Sequence, residues 1–198
     1  MDPLDLWRHL GGDEDQRRAA IAHARDDAWL RGAMLEKLFT KPDARFLSAC
    51  GARFQDLDAI ADYQEASGHL WQSALPMPPA ALAGVYVSTD PTGSSRWLHF
   101  HSDGIAVTAS VKLGAGESLQ ESATNVRRWL DIASPSAFSA HNSVGVWDLQ
   151  GAAVRLVSVV PGVSVIYQGY VVSDGRVLLS ALSLYNGHRS TRWFQPAP

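Results

Sequence analysis

His99 and His101 stand one residue apart in a run that alternates like a strand, so both imidazoles project from one face. Two imidazoles so spaced can reach one metal ion, and His141 or His188 could complete the ligands. The residues expected across from the pair, Thr108 and Ala106, are not ligands, and no acidic residue stands at a fixed short spacing. A polar outer face explains the pair, and no metal is expected. A different set suggests recognition instead of coordination. Tyr86, Arg155, Tyr167, Gln168, Tyr170 and Arg192 fall within runs that are otherwise Val and Leu. An arginine facing an apolar pocket selects a carboxylate or phosphate, because its planar fork pairs such groups bidentately. The alternative is that Arg155 and Arg192 point outward and Tyr167 completes a core.

The remaining reactive residue types have simpler explanations. Gly162-Val163-Ser164-Val165-Ile166 lacks the closing glycine of a nucleophile elbow and lies inside a strand pattern. Cys50 sits among Phe46, Leu47 and Ala49, where a buried inert thiol is expected. Asp13-Glu14-Asp15 and Asp56-Leu57-Asp58 fall where helices begin, and capping explains their carboxylates. No phosphate loop or dinucleotide fingerprint occurs, so no cofactor is expected. Arg127-Arg128-Trp129 reads as a solvated helix face and not as a nucleic-acid contact.

Composition supports these choices. The 198 residues carry a net charge of −3, which provides no field to gather nucleic acid. One cysteine excludes an intrachain disulfide framework. The opening Met1-Asp2-Pro3-Leu4-Asp5 has neither basic nor apolar targeting character, and no apolar run approaches membrane-spanning length. A cytoplasmic protein is expected, and 14 arginines against three lysines suggest a GC-rich bacterial genome.

The elements that must position these groups divide the chain at Pro76-Met77-Pro78-Pro79, with a helical segment at 1–80 and a strand-rich one at 81–198. The first carries −4 and the second +1. A long helix is expected from Asp13 to Phe39, with Ile21, Ala24, Ala28, Leu35 and Leu38 on one stripe. A second begins at Asp43, and a third runs from Leu57 to Ala66 and stops at Gly68. Each stripe needs a surface to cover. Eight strands follow in sequential order, joined by Asp103-Gly104, Gln150-Gly151, Pro161-Gly162, Asp174-Gly175 and Asn186-Gly187. Read as a two-residue loop, Asp103-Gly104 sets Phe100 opposite Val107 and Leu98 opposite Ala109. Around Gln150-Gly151, Trp147 falls opposite Val154. At the C-terminal end, Tyr167 shares a face with Leu178, Leu182 and Trp193, while Ile166, Tyr170, Leu179 and Phe194 make the other face apolar too. Something must cover the outside, either the N-terminal helices or a second subunit.

Leu82-Ala83-Gly84-Val85-Tyr86, the hairpin around Trp97-Leu98-His99-Phe100, Tyr167-Gln168-Gly169-Tyr170 and the closing Arg192-Trp193-Phe194 together resemble the lipocalin-like (calycin) barrels. The resemblance covers about the last 115 residues, with Gly84-Val85-Tyr86 standing where lipocalins carry Gly-x-Trp. It implies a mainly β, overall α+β chain: an eight-stranded antiparallel barrel preceded by two or three helices packed on its outside or over its mouth. It also implies a small apolar or amphipathic ligand held in the barrel. Leu98, Phe100, Val107, Tyr167, Leu182 and Trp193 are expected to line it, with Arg155 or Arg192 anchoring a polar end. Two alternatives stand beside this. One is a filled barrel serving as a protein interaction or regulatory module, including a homodimer. The other is a small cyclase- or isomerase-type enzyme that works by positioning.

Overall fold

The computed structural model describes residues 1–39, 43–49, 51–54, 57–68, 82–114, 116–139, 142–150 and 153–198. The strands β1 Gly84–Thr89, β2 Ser94–Phe100, β3 Ile105–Lys112, β4 Asn142–Gln150, β5 Ala153–Val160, β6 Val163–Val171, β7 Val177–Ser183 and β8 Arg189–Pro196 form one closed antiparallel barrel in sequence order. Closure comes from Tyr86 opposite Pro196 and Val87 opposite Gln195, with the Ala197 amide donating to the Val85 carbonyl at 2.8 Å. No strand edge is left open.

Five described helices precede the barrel: α1 Pro3–Leu10, α2 Glu14–Asp26, α3 Ala28–Phe39, α4 Ala44–Ala49 and α5 Leu57–Gly68. A sixth, α6 Leu119–Leu130, lies in the β3–β4 connection. The acidic cluster at Asp13 caps, as its position suggested. The Asp13 side chain accepts from the Gln16 amide at 2.9 Å, and Gln16 Oε1 accepts from the Asp13 amide at 3.1 Å. The long helix expected over Asp13 to Phe39 is divided at Asp27. That residue leaves helical geometry and its carboxylate accepts from the Leu30 amide at 2.8 Å, which caps the start of α3. Cys50, His141, Gly151 and the proline boundary lie outside the described residues.

Two strand registers differ from the expected ones by one residue, and for one reason. Ser102-Asp103-Gly104 is a three-residue turn, closed by the His101 amide on the Ile105 carbonyl at 2.8 Å. Ser173-Asp174-Gly175 repeats it, with the Val172 amide on the Arg176 carbonyl at 2.9 Å. In each, the glycine takes a left-handed φ (+83° and +81°) that absorbs the third residue as a bulge. Phe100 therefore lies opposite Ala106, and Tyr167 opposite Ala181. A shift of one residue exchanges the two faces, so Val107 and Leu182 turn outward. Trp147 lies opposite Leu156 instead of Val154, a two-residue shift that leaves the faces unchanged.

The wall of the barrel is buried on both sides. Inside lies one apolar cluster that includes Leu98, Phe100, Trp147, Val154, Leu156, Leu179 and Phe194. Outside, Trp97, Val107, Val144, Val157, Ile166 and Leu182 join Leu6, Leu10, Met34, Leu35, Ile60 and Leu130 of the helices in a second cluster. The helices thus jacket the wall, and the removal of this apolar surface from water is what fixes them there.

Arg17 of α2 is the main polar tie within that outer layer. It is 2% exposed and donates to the carbonyls of Phe138 at 2.8 Å, Asn142 at 2.8 Å and Ser139 at 3.4 Å. These carbonyls belong to the end of the connection that returns the chain to β4 and to the first residue of that strand. Arg17→Met keeps the apolar stem and removes every donor, and is expected to cost about 3 kcal/mol in denaturant unfolding. Wild-type stability in that variant would show that the tie contributes nothing.

Candidate functional site

The barrel interior changes character from one end to the other. At the end bearing the β2–β3 and β6–β7 turns, Tyr86, Phe100 and Trp147 meet edge to face, with centroids 5.7 Å and 5.0 Å apart. The Trp147 indole donates to the His101 carbonyl at 3.0 Å, and Leu82 completes the same buried cluster. Moving along the strands toward the other end, inward positions become polar and small. Tyr86 gives way to Ser88, and Leu98 to Arg96. Ala106 is followed by Thr108 and Ser110, Leu156 by Ser158, and Phe194 by Arg192 and Ser190. Seven of the eight strands contribute to this gradient; β6 ends instead in Val165.

The polar end forms a mouth. Arg96, Ser143, Ser183, Ser190 and Arg192 are partly exposed there, while Ser88, Thr108 and Ser158 are buried just below. Thr108 Oγ1 and Ser158 Oγ, on the two strands that flank β4, are 3.3 Å apart. Tyr167 is 6% exposed, and burial pushes its hydroxyl pKa up, so the phenol keeps its proton. The guanidinium groups of Arg96 and Arg192 both bear on that hydroxyl and oppose the rise, Arg96 within hydrogen-bonding reach. Arg192 Nη1 stands 3.7 Å from Asp90 Oδ2. Among the described residues, no carboxylate lies within ion-pair distance of Arg96. The mouth therefore gathers two cations and a neutral phenol donor, with one anion, Asp90, among the described residues.

Of the residues expected to line the interior, Leu98, Phe100, Tyr167 and Arg192 face it. Val107 and Leu182 face the helices as a result of the bulged turns. Trp193 faces out and is 44% exposed, edge to face with Tyr170 and beneath Arg176. Arg155 also points outward, because its neighbours Val154 and Leu156 point in. It is buried under α3, held by both oxygens of Asp148 at 2.9 Å and 2.5 Å and facing Glu36 at 3.7 Å. An ionic clasp between helix and barrel occupies it, and it cannot anchor a ligand in the interior. Arg96 was missed as a site residue. The signal was its even spacing from Leu98 and Phe100, which places all three on the inner face.

The histidine pair has a structural role at the opposite end. Their ring centroids lie 3.6 Å apart with the planes tilted by 35°, and His99 Nδ1 and His101 Nε2 both donate to the Leu130 carbonyl at the end of α6, at 3.1 Å and 3.0 Å. Among the described residues, no three His, Cys, Asp or Glu side chains gather to hold a metal ion. Burial first, and then the neighbouring His99, lowers the His101 pKa from 6.5 to about 4, although Asp103 and Asp131 oppose the shift. Burial lowers His99 as well. The unfolded chain thus binds these protons more readily than the folded one. Stability is complete above pH 6.5 and falls as the pH drops toward about 4, by up to about 3 kcal/mol from His101. His101→Gln retains a donor for Leu130, so its stability should decline less steeply between about pH 6.5 and 5, above most carboxylate titration. Parallel declines in thermal melts would refute this.

No family model and no curated protein matches the chain. Among solved structures, the crystal structure of a mutant of the fluorescent protein UnaG aligns with 61% of this chain and 99% of that one, at 10% identity and a TM-score of 0.32. No described helix is long and apolar enough to cross a membrane.

Proposed function

We propose that the barrel binds a small amphipathic molecule bearing an anionic head group. The head would sit at Arg96, Arg192 and Tyr167, and the apolar part would point toward Leu98, Leu156 and Phe100. The observation that carries this reading is the gradient along the inner wall, which ends in an arginine with no carboxylate partner among the described residues. A barrel that only filled its own interior would have no use for a charge there. Partly exposed at the mouth, the Arg96 guanidinium stays solvated until an anion replaces that water with charge-assisted hydrogen bonds. The described helices cover the wall, so this reading assigns them no part in closing the mouth.

Isothermal titration of the full chain with dodecanoate and with dodecanol tests the proposal, since the two share an apolar chain and differ in charge. Dodecanoate is expected to bind at least about tenfold more tightly, the increment of one charge-assisted contact. Equal affinities would remove the arginines from the site. Binding of neither, with native mass spectrometry also showing no small molecule on the purified protein, would support the filled barrel acting through its surface. Chemical change in a bound probe would support the enzyme reading.

A further inference from the structure

Resting on the reading of the mouth as an anion site, we propose that Asp90 sets its charge selectivity, admitting singly charged head groups and rejecting dianions. Asp90 immediately follows β1, and its carboxylate faces Arg192 at 3.7 Å. The β1–β2 turn holds that carboxylate in place. It accepts from the Thr92 amide at 2.9 Å, the Thr92 hydroxyl at 2.5 Å and the Ser94 amide at 3.1 Å. These bonds lie outside the interior and do not depend on a ligand, so the negative charge stays when the mouth is occupied. The Thr92 hydroxyl and the turn amides also hold the Asp90 pKa below the usual carboxylate range, which keeps it ionised.

The charge count inside the mouth follows. Arg192 is offset by Asp90, and Arg96 carries a charge that no described carboxylate offsets. Lys112 stands further out, exposed on the rim, where solvent and salt screen it. One negative charge on a head group balances the site. A second would gain attraction only in proportion to that small surplus of positive charge, while the cost of stripping water from the head group grows with the square of its charge. It would also face the fixed carboxylate across Arg192. The inferred ligand class is therefore a carboxylate or other monoanionic amphiphile, not a phosphate monoester.

Dodecyl sulfate and dodecyl phosphate, titrated well below micelle formation, separate charge from shape. Both heads are tetrahedral, yet at about pH 8 the sulfate carries one charge and the phosphate close to two. The unaltered full chain is expected to bind the sulfate at least about tenfold more tightly than the phosphate. Asp90→Asn keeps an oxygen for the turn while removing the charge. It should strengthen the sulfate by about tenfold and the phosphate by about a hundredfold, because the interaction scales with ligand charge. Asp90→Ser also keeps an oxygen acceptor, and it provides the same measurement should the asparagine variant fail to fold. If both probes bind and Arg96→Ala weakens both, but the phosphate-to-sulfate ratio is unmoved at position 90, this inference falls and the anion site stands. If neither probe binds, or if removing both arginines changes nothing, the site itself falls and the inference with it.

Discussion

Replacing Arg96 and Arg192 together with alanine is expected to weaken dodecanoate binding by about a hundredfold or more while leaving dodecanol within about twofold. Each guanidinium supplies a charge-assisted contact to a carboxylate, and such contacts exceed neutral hydrogen bonds by roughly a factor of two. The single variants should not be equal. Arg96→Ala removes one cation and leaves the Arg192–Asp90 pair intact, and about a tenfold loss is expected. Arg192→Ala removes a cation and also exposes Asp90, 3.7 Å away in the parent, to the incoming anion. Its loss should therefore be the larger, and adding Asp90→Asn to it should recover part of the affinity. Tyr167→Phe, which removes only a neutral donor, should cost about fivefold. Neither arginine is part of the packed interior, so thermal stability should change little. Undiminished dodecanoate binding in the double variant would overturn the proposed site.

The largest effect on folding is expected at two glycines of the wall. A Cβ built on Gly169 would lie 1.7 Å from the Leu178 carbonyl oxygen, and one on Gly145 would lie 1.7 Å from that of Val157. Both obstacles are backbone of the neighbouring strand, so no side chain can rotate away. Strands approach this closely where a small barrel bends, and glycine is what permits it. Gly169→Ala or Gly145→Ala must force β6 from β7, or β4 from β5, and lose ladder bonds on both sides. A cost of about 4 kcal/mol or more is expected, enough to unfold a marginally stable domain. Gly32 of α3 is the control, because nothing lies within 4 Å of its added Cβ. Gly32→Ala should stabilise by about 1 kcal/mol, the helical preference for alanine. Circular dichroism melts of the three variants measure this. A folded Gly169→Ala protein with wild-type stability would show that the strand contact is not as close as described.

These two predictions draw on the sequence to different degrees. The strands themselves were legible. Alternation from Trp97 to Phe100 and from Val163 to Val171 could bury a face only as β structure, and the turn dipeptides bounded each run. The apolar residues on both faces of the last strands required a cover; α5 supplies it against β6, while α1, α2 and α3 cover the wall from β3 to β5. The resemblance to calycin barrels brought the closure, which strand patterns alone do not encode. The two wall glycines were visible as residues, but nothing local marks them as points of close approach.

The candidate site was half legible. Leu98, Phe100, Tyr167 and Arg192 could be placed together, whereas Val107, Leu182, Trp193 and Arg155 could not be kept out. For Val107, Leu182 and Trp193 the error traces to Ser102-Asp103-Gly104 and Ser173-Asp174-Gly175. An Asp-Gly step is compatible with both a two-residue turn and a three-residue bulged one, and the two differ by one residue of register. In a sheet of period two, that single residue decides inside or outside.

By itself, the sequence determined the strands, their antiparallel order and the need for a second apolar layer. These follow from periodicity and turn chemistry, which act over a few residues. Of the helices it expected two or three before the barrel, missing α1 and the break at Asp27, where five are described. The tertiary structure decided which face is the interior, which arginine meets a carboxylate and which is left to meet a ligand. Arg155 is satisfied by Asp148 across a strand pair and faces Glu36 from a distant helix; Arg96 meets Tyr167 and, among the described residues, no carboxylate. A charge takes its role from whatever the fold brings within a few ångströms of it, and no spacing along the chain specifies that neighbour.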